Sequence, residues 1–127
     1  MLAVLLVAAL TGAPCANPSI VSAAPTVTAH GAINHYTIAV TVQNRGDARQ
    51  PGNLLQSVDV FQDGEKKGQL GLQPLGPKQS QRVRYGFDRS SSAGDHTTSL
   101  LLKLDANGRS GNTVDCHAGT DIYKLKV

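Results

Sequence analysis

The chain has 127 residues, which is enough for one domain of ordinary size with a single hydrophobic core. Twelve Lys and Arg residues against nine Asp and Glu residues give a formal net charge of +3, and the basic residues are scattered along the sequence. Because nucleic-acid sites gather their basic residues on one face, this distribution argues against a nucleic-acid partner.

The N-terminus begins with an uncharged apolar run over residues 1–10. Such a run resembles the core of a secretory signal peptide and is too short to span a bilayer, although no Lys or Arg precedes it. Small residues near Ala23 suit signal peptidase, whereas a cut after Ala16 would place Pro14 at an unfavourable position. We therefore expect a signal peptide and processing region over residues 1–23, a secreted or periplasmic protein, and no transmembrane segment in the mature chain.

The sequence contains two cysteines, Cys15 and Cys116. A disulfide between them would require that the signal segment stays uncleaved, which is unusual in an exported protein. We therefore expect Cys15 to leave with the signal peptide. Cys116 would then remain as a single thiol, either buried as a small apolar residue or open to pairing with another molecule. A lipoprotein site at Cys15 is disfavoured because Pro14 precedes it in place of a small residue.

Residues 25–30 form the first predicted strand, since they contain Thr and Val and begin with Pro25, as an edge strand permits. The strongest strand signal lies in residues 35–44, where apolar residues occupy every second position. This spacing sends alternate side chains to opposite faces of a strand. We predict a half-buried strand that ends in a loop over residues 45–53 and whose core face is Tyr36, Ile38, Val40 and Val42.

A β-hairpin is predicted around Asp63 and Gly64. Val58 and Val60 alternate with polar residues before it, and Asp-Gly favours a type I′ turn because both central residues must adopt a positive φ. The second strand of the hairpin is expected to end at the Pro- and Gly-rich residues 73–78.

Three further segments continue the strand pattern. Residues 80–87 alternate strictly, residues 98–104 place leucines at every second position, and residues 122–127 form a last strand. Leu101 falls on the otherwise polar face of its segment, which indicates cover by another element or by a partner.

The strands recur with turn residues between them, and no stretch after residue 10 shows a helical period. Six or seven short strands over about a hundred residues predict an immunoglobulin-like antiparallel β-sandwich over residues 24–127. Trp is absent and the two cysteines are not placed for a bridge between sheets, so an antibody-type domain is not expected.

The turn and core positions follow a recognisable order. The strand at residues 40–47 ends in Asn-x-Gly, and the strand at residues 58–64 leads to Asp-Gly. A Leu and a Gly at residues 72–76 precede the strand at residues 81–87, and Gly-x-His at residues 94–97 precedes the penultimate strand. In this the sequence resembles the bacterial CARDB family of cell-adhesion-related immunoglobulin-like domains, over residues 25–127. The family often has an acidic residue and paired asparagines before its last strand, where residues 111–117 hold a single Asn. The resemblance implies an exported β-sandwich used for adhesion or binding, and it brings no catalytic residue.

Arg45, Gly46 and Asp47 form the tripeptide that integrins recognise in other proteins, and they lie on a predicted loop. The same residue types are what a tight turn leaving a strand requires. Because a three-residue match carries little information, we interpret it as a turn and keep integrin recognition as a hypothesis.

Cys116 and His117, together with His30, His35 and His96, are of the types that ligate soft metals. A small periplasmic metal or redox protein that uses Cys116 and His117 is therefore an alternative function. Their spacing matches no zinc pattern, however, and adjacent residues of a strand point to opposite faces. We expect no cofactor, no metal site and no catalytic residue.

Basic residues on several strands are expected to gather on one solvent face of the sandwich: Arg82, Arg84, Lys103, Lys124 and Lys126. Such charges keep strand edges from pairing with other chains, and the functional alternative is that they bind an acidic protein or an anionic glycan.

Together these features predict an exported, non-enzymatic binding or adhesion module that engages a protein or glycan partner through loops or an outer sheet face. The candidate interaction residues are Arg45, Asp47, Arg82, Arg84, Leu101 and Lys103. A protease inhibitor that presents the loop at residues 45–52 or 89–94 is a further alternative. The sequence does not determine the partner or the oligomeric state.

Overall fold

The structure is a computed structural model that describes residues 14–93, 97–105 and 121–127. Within these residues it contains seven strands and one short 3-10 helix. The strands are β1 (Pro18–His30), β2 (Ile33–Asn44), β3 (Gln56–Gln62), β4 (Glu65–Leu72), β5 (Ser80–Ser90), β6 (Ser99–Asp105) and β7 (Asp121–Lys126), and the 3-10 helix spans Ser91–Ala93.

The strands form two sheets. One has the order β1-β2-β5 and the other the order β4-β3-β6-β7, and all the pairings are antiparallel. The predicted fold class, an immunoglobulin-like β-sandwich, is confirmed.

The core lies between the two sheets and is built from the inward positions of their strands. The predicted core face of β2 is confirmed, because its four apolar residues are all buried. The opposite sheet contributes alternate residues of β3 and β6 to the same core, namely Val58, Val60, Leu100, Leu102 and Leu104.

The predicted hairpin joins β3 to β4. Asp63 and Gly64 have φ angles of 49° and 90°, the positive values that the Asp-Gly turn requires. The turn is also tied to β6, because the Asp63 amide donates to the Ser99 carbonyl (2.8 Å) and the Ser99 amide donates to Asp63 Oδ1 (3.0 Å).

Strand β1 begins at Pro18, whereas the sequence predicted that the first strand begins only at residue 25. The structure corrects this expectation: Pro18 pairs with Asn44, and Ile20 is buried in the core. The small residues of this stretch carry little hydrophobic alternation, so their pairing with β2 left no periodic signal. The cleavage near Ala23 stays a prediction, and such a cut would remove residues 18–23 from β1.

Two further contacts fix the start of β1. The Ile20 amide donates to Asp121 Oδ2 on β7 at 2.8 Å, which links the two sheets. Cys15 is disulfide-bonded, so the expectation that no disulfide forms is wrong for this structure. The chain has one other cysteine, Cys116, which lies outside the described residues.

In the described ranges, no helix has the length and apolar character needed to cross a membrane.

Candidate functional site

A groove of about 770 Å³ lies on the outer face of the four-stranded sheet, over β3, β6 and β7. Its apolar floor comes from one residue of each strand. Phe61 pairs with Leu101, and Ile122 pairs with Lys103, so these side chains emerge on the same face. Ile122 is 50% exposed. The lysine groove is defined here as Phe61, Leu101, Ile122, Lys103, Lys124 and Lys126.

The three lysines of this groove form no ion pair with any residue that the structure describes. Lys124 and Lys126 are exposed on β7, and Lys103 is half-buried on β6. None of the residues that line the groove is acidic. The groove therefore combines an apolar floor with a net positive charge, and Asp59 of β3, the cross-strand neighbour of Lys103, is paired with Lys66.

The opposite edge of the same sheet is neutralised. On β4, Lys66 Nζ lies 3.6 Å from Asp59 Oδ2, and Lys67 Nζ lies 2.9 Å from Glu65 Oε2. The hydrogen bond and the negative charge of Glu65 raise the pKa of Lys67.

Strand β4 is also covered on its inner side. The Tyr85 ring of β5 lies so close to Gly68 that a Cβ at that position would be 3.0 Å from the ring. The Tyr85 hydroxyl donates to Gln62 Oε1 at 2.9 Å, and burial raises the pKa of Tyr85. The β4 side of the sandwich thus has its polar groups paired within the molecule.

The structure separates the residues that the sequence grouped together. Leu101 and Lys103 lie in the lysine groove. Arg82 and Arg84 point outward from β5 in the three-stranded sheet, where they pair with Thr41 and Ala39 of β2. The expectation that Arg82 and Arg84 share one solvent face with Lys103, Lys124 and Lys126 is wrong, because β5 belongs to the sheet on the other side of the core.

Arg45, Gly46 and Asp47 form the turn after β2 and close over the N-terminal segment. Asp47 Oδ1 accepts a hydrogen bond from the Cys15 amide (3.0 Å), and the Asp47 amide donates to the Cys15 carbonyl (3.1 Å). Gly46 is in close contact with this segment, since a Cβ there would lie 2.7 Å from the Asn17 nitrogen. The Asp47 carboxylate therefore holds the turn to the N-terminal segment.

Sequence reasoning missed the residue that organises this end of the sandwich. Asn44 is fully buried, and its Oδ1 accepts hydrogen bonds from the amides of Asn17 (2.9 Å) and Gly46 (3.0 Å). Its Nδ2 donates to the carbonyls of Ala48 (2.8 Å) and Leu75 (3.1 Å). The alternation of β2 could have identified Asn44 as a buried residue, because it places position 44 on the core face. The Asn44 cluster is defined here as Asn44, Gly46, Asp47 and residues 15–17.

One residue of each loop proposed for protease inhibition is held by internal contacts, and residue 94 of the second loop lies outside the described residues. In the first, Gln50 is 1% exposed and exchanges amide hydrogen bonds with Gln56 at 2.9 and 2.8 Å. In the second, the Arg89 guanidinium donates to Thr98 Oγ1, the Val127 carbonyl and the Tyr36 hydroxyl. The Arg89 guanidinium carbon lies 4.5 Å from the centre of the Tyr36 ring.

The residues considered for metal binding fall mostly outside the described ranges. His96, Cys116 and His117 lie there, and His35 Nδ1 is 2.5 Å from Asp88 Oδ1 on the three-stranded sheet. Across the described part of the chain, no group of three or more His, Cys, Asp or Glu residues is placed to hold a metal ion.

The fold and the groove describe an immunoglobulin-like sandwich with an apolar patch on the outer face of its four-stranded sheet. Among proteins of known structure, the chain is similar to the CARDB domain of the PF1109 protein from Pyrococcus furiosus, solved in complex with di-metal ions. The similarity covers 90% of this chain and 91% of that chain, with 18% sequence identity and a TM-score of 0.59. No protein-family model matches the chain, and no curated protein matches it in sequence. The protein therefore has a CARDB-like fold, which confirms the resemblance seen in the turn residues.

Proposed function

We propose that the protein is an exported, non-enzymatic binding module of the bacterial cell envelope or secretome, and that it engages a partner protein through the lysine groove. The observation that carries the proposal is the apolar floor of Phe61, Leu101 and Ile122 on an outer sheet face. Alternation normally places polar side chains at such positions, and contiguous exposed apolar patches mark interaction sites.

Three observations support export and adhesion. The apolar run of residues 1–10 resembles a signal-peptide core. The disulfide at Cys15 suits an oxidising compartment, and it requires any cleavage to fall before residue 15 and not near Ala23. The CARDB-like fold supports an adhesion-related role.

The experiment is a capture of envelope and medium proteins on the immobilised full chain, compared with two single variants. Leu101→Asp places a charge on the groove floor, and Thr37→Asp places the same charge on the outer face of the other sheet. We expect Leu101→Asp to abolish capture of a partner that Thr37→Asp retains. Retention by both variants, or equal loss in both, would contradict the proposal.

A further inference from the structure

We infer that the lysine groove binds an extended acidic segment of a partner protein, in which two acidic residues and one apolar residue occupy successive alternate positions and so share one face. This inference rests on the proposed function and adds the chemistry of the partner. It is argued from the groove's floor, from its charges and from the spacing of its strands.

The floor requires an apolar side chain from the partner. Phe61 and Leu101 are half-buried and Ile122 is half exposed, and they lie side by side on three adjacent strands. An apolar side chain placed there would remove this surface from water, which is the main favourable term in association. A purely charged or sugar-like chain would leave the floor without a matching group.

The charges of the groove require acidic groups beside that apolar side chain. Lys103, Lys124 and Lys126 line the groove, with no acidic residue among its lining residues. None of them forms an ion pair with a described residue. Carboxylates that approach these ammonium groups would gain charge-assisted hydrogen bonds that the protein itself does not supply.

The spacing of the lysines favours an extended peptide. Lys124 and Lys126 are two residues apart on one face of β7, which separates their Cα atoms by about 7 Å. An extended peptide places its own alternate side chains at the same spacing of about 7 Å. Carboxylates two residues apart therefore match this lysine pair, and an apolar side chain two residues beyond them, on the same face, reaches the floor at Ile122.

The other edge of the sheet provides a matched control. Lys67 on β4 has side-chain exposure of 49% and lies beside Glu65, outside the groove. A Lys→Glu change there alters the net charge of the protein by the same amount as Lys124→Glu. Any difference between the two variants then reports the position of the charge and not the total charge.

The test measures the fluorescence anisotropy of a labelled short peptide that repeats Leu-Ser-Glu-Ser-Glu-Ser, so that its leucines and glutamates share one face when extended, titrated with the purified full chain. Two analogues replace every glutamate by glutamine or every leucine by serine. We expect both analogues to bind more weakly, and high salt to weaken binding of the parent peptide. Lys124→Glu and Lys126→Glu should each lower the affinity about three- to tenfold, and Lys67→Glu less than about twofold.

Several outcomes would overturn the inference. Equal binding of the glutamine analogue would remove the role of the charges, and equal binding of the serine analogue would remove the role of the floor. Equal weakening by Lys67→Glu would show that only net charge matters. Heparin binding at the groove lysines, without peptide binding, would assign the site to a glycan.

The two proposals fail in different ways. If the peptide does not bind but Leu101→Asp still abolishes capture of the envelope partner, the acidic-segment inference is wrong and the binding function stands. If Leu101→Asp leaves capture intact, the proposed function itself is wrong.

Discussion

The Asn44 cluster and the lysine groove use their polar groups in opposite ways. The Asn44 side chain makes four hydrogen bonds inside the protein, whereas the lysines of the groove have no ion-pair partner among the described residues. Polar groups that are satisfied internally indicate positions on which folding depends. Groups left unpaired beside exposed apolar side chains indicate positions that folding does not require. Substitutions in the first region should therefore change stability, and substitutions in the second should change binding.

The largest effect is expected from removing the N-terminal segment that the Asn44 cluster holds. A chain that begins at Ala24 would lack the disulfide at Cys15 and the buried Ile20. A disulfide contributes about 2–5 kcal/mol and a buried Ile about 1.5–3 kcal/mol, against a total stability of about 5–15 kcal/mol. Urea unfolding should show a large loss relative to a chain that begins at Pro14. Equal midpoints would refute the structural role of this segment.

Asn44→Ala should give the next largest effect. It leaves the amides of Asn17 and Gly46 and the carbonyls of Ala48 and Leu75 without their partner in a buried site. We expect a loss of about 3 kcal/mol in the free energy of unfolding.

The matched control for this variant is Gln43→Ala on the outward side of the same strand, with an expected loss below about 1 kcal/mol. Similar losses for the two variants, measured by urea unfolding, would mean that the buried hydrogen bonds are not what stabilises this end of the sandwich.

Gly46→Ala should be less damaging and still clearly measurable. The added methyl group would collide with the backbone of residues 15–17, and we expect a loss of about 1–3 kcal/mol. Gly52→Ala is the control, because a Cβ there meets no atom within 4 Å. Its effect should stay within about 0.5 kcal/mol. If thermal unfolding shows equal losses of stability for Gly46→Ala and Gly52→Ala, the turn does not pack closely against the N-terminal segment.

The smallest effect on stability is expected in the lysine groove. Lys124 is exposed and forms no ion pair with a described residue, so Lys124→Glu should change the free energy of unfolding by no more than about 0.5 kcal/mol. Thermal unfolding checks this value. A loss as large as that of Gly46→Ala would place the groove lysines among the groups that stabilise the fold, and the contrast between the two regions would disappear.

The sequence predicted the features that depend on neighbouring residues alone. The two-residue alternation of β2 and the Asp63-Gly64 turn are local patterns, and both are confirmed. The first part of β1 was missed because its small residues show little alternation, although they pair with residues 39–44 of β2.

The candidate site depends on which strands become neighbours, and periodicity does not contain that information. Leu101 stood out as an apolar residue on a polar face, but Phe61 and Ile122 join it only through the pairing of β6 with β3 and β7. Likewise, the sequence pattern predicts that Arg82 and the groove lysines all point outward from their strands. Only the sheet order shows that they lie on different sides of the core.

The bond between the Ile20 amide and Asp121 connects residues 101 positions apart in sequence. This closure of the sandwich waits until β7 has left the ribosome, because its acceptor lies in the last strand of the described chain. Contacts between such distant segments form slowly, since the loop-closure entropy must be overcome first. Until β7 emerges, the nascent polypeptide therefore lacks this contact between its two sheets.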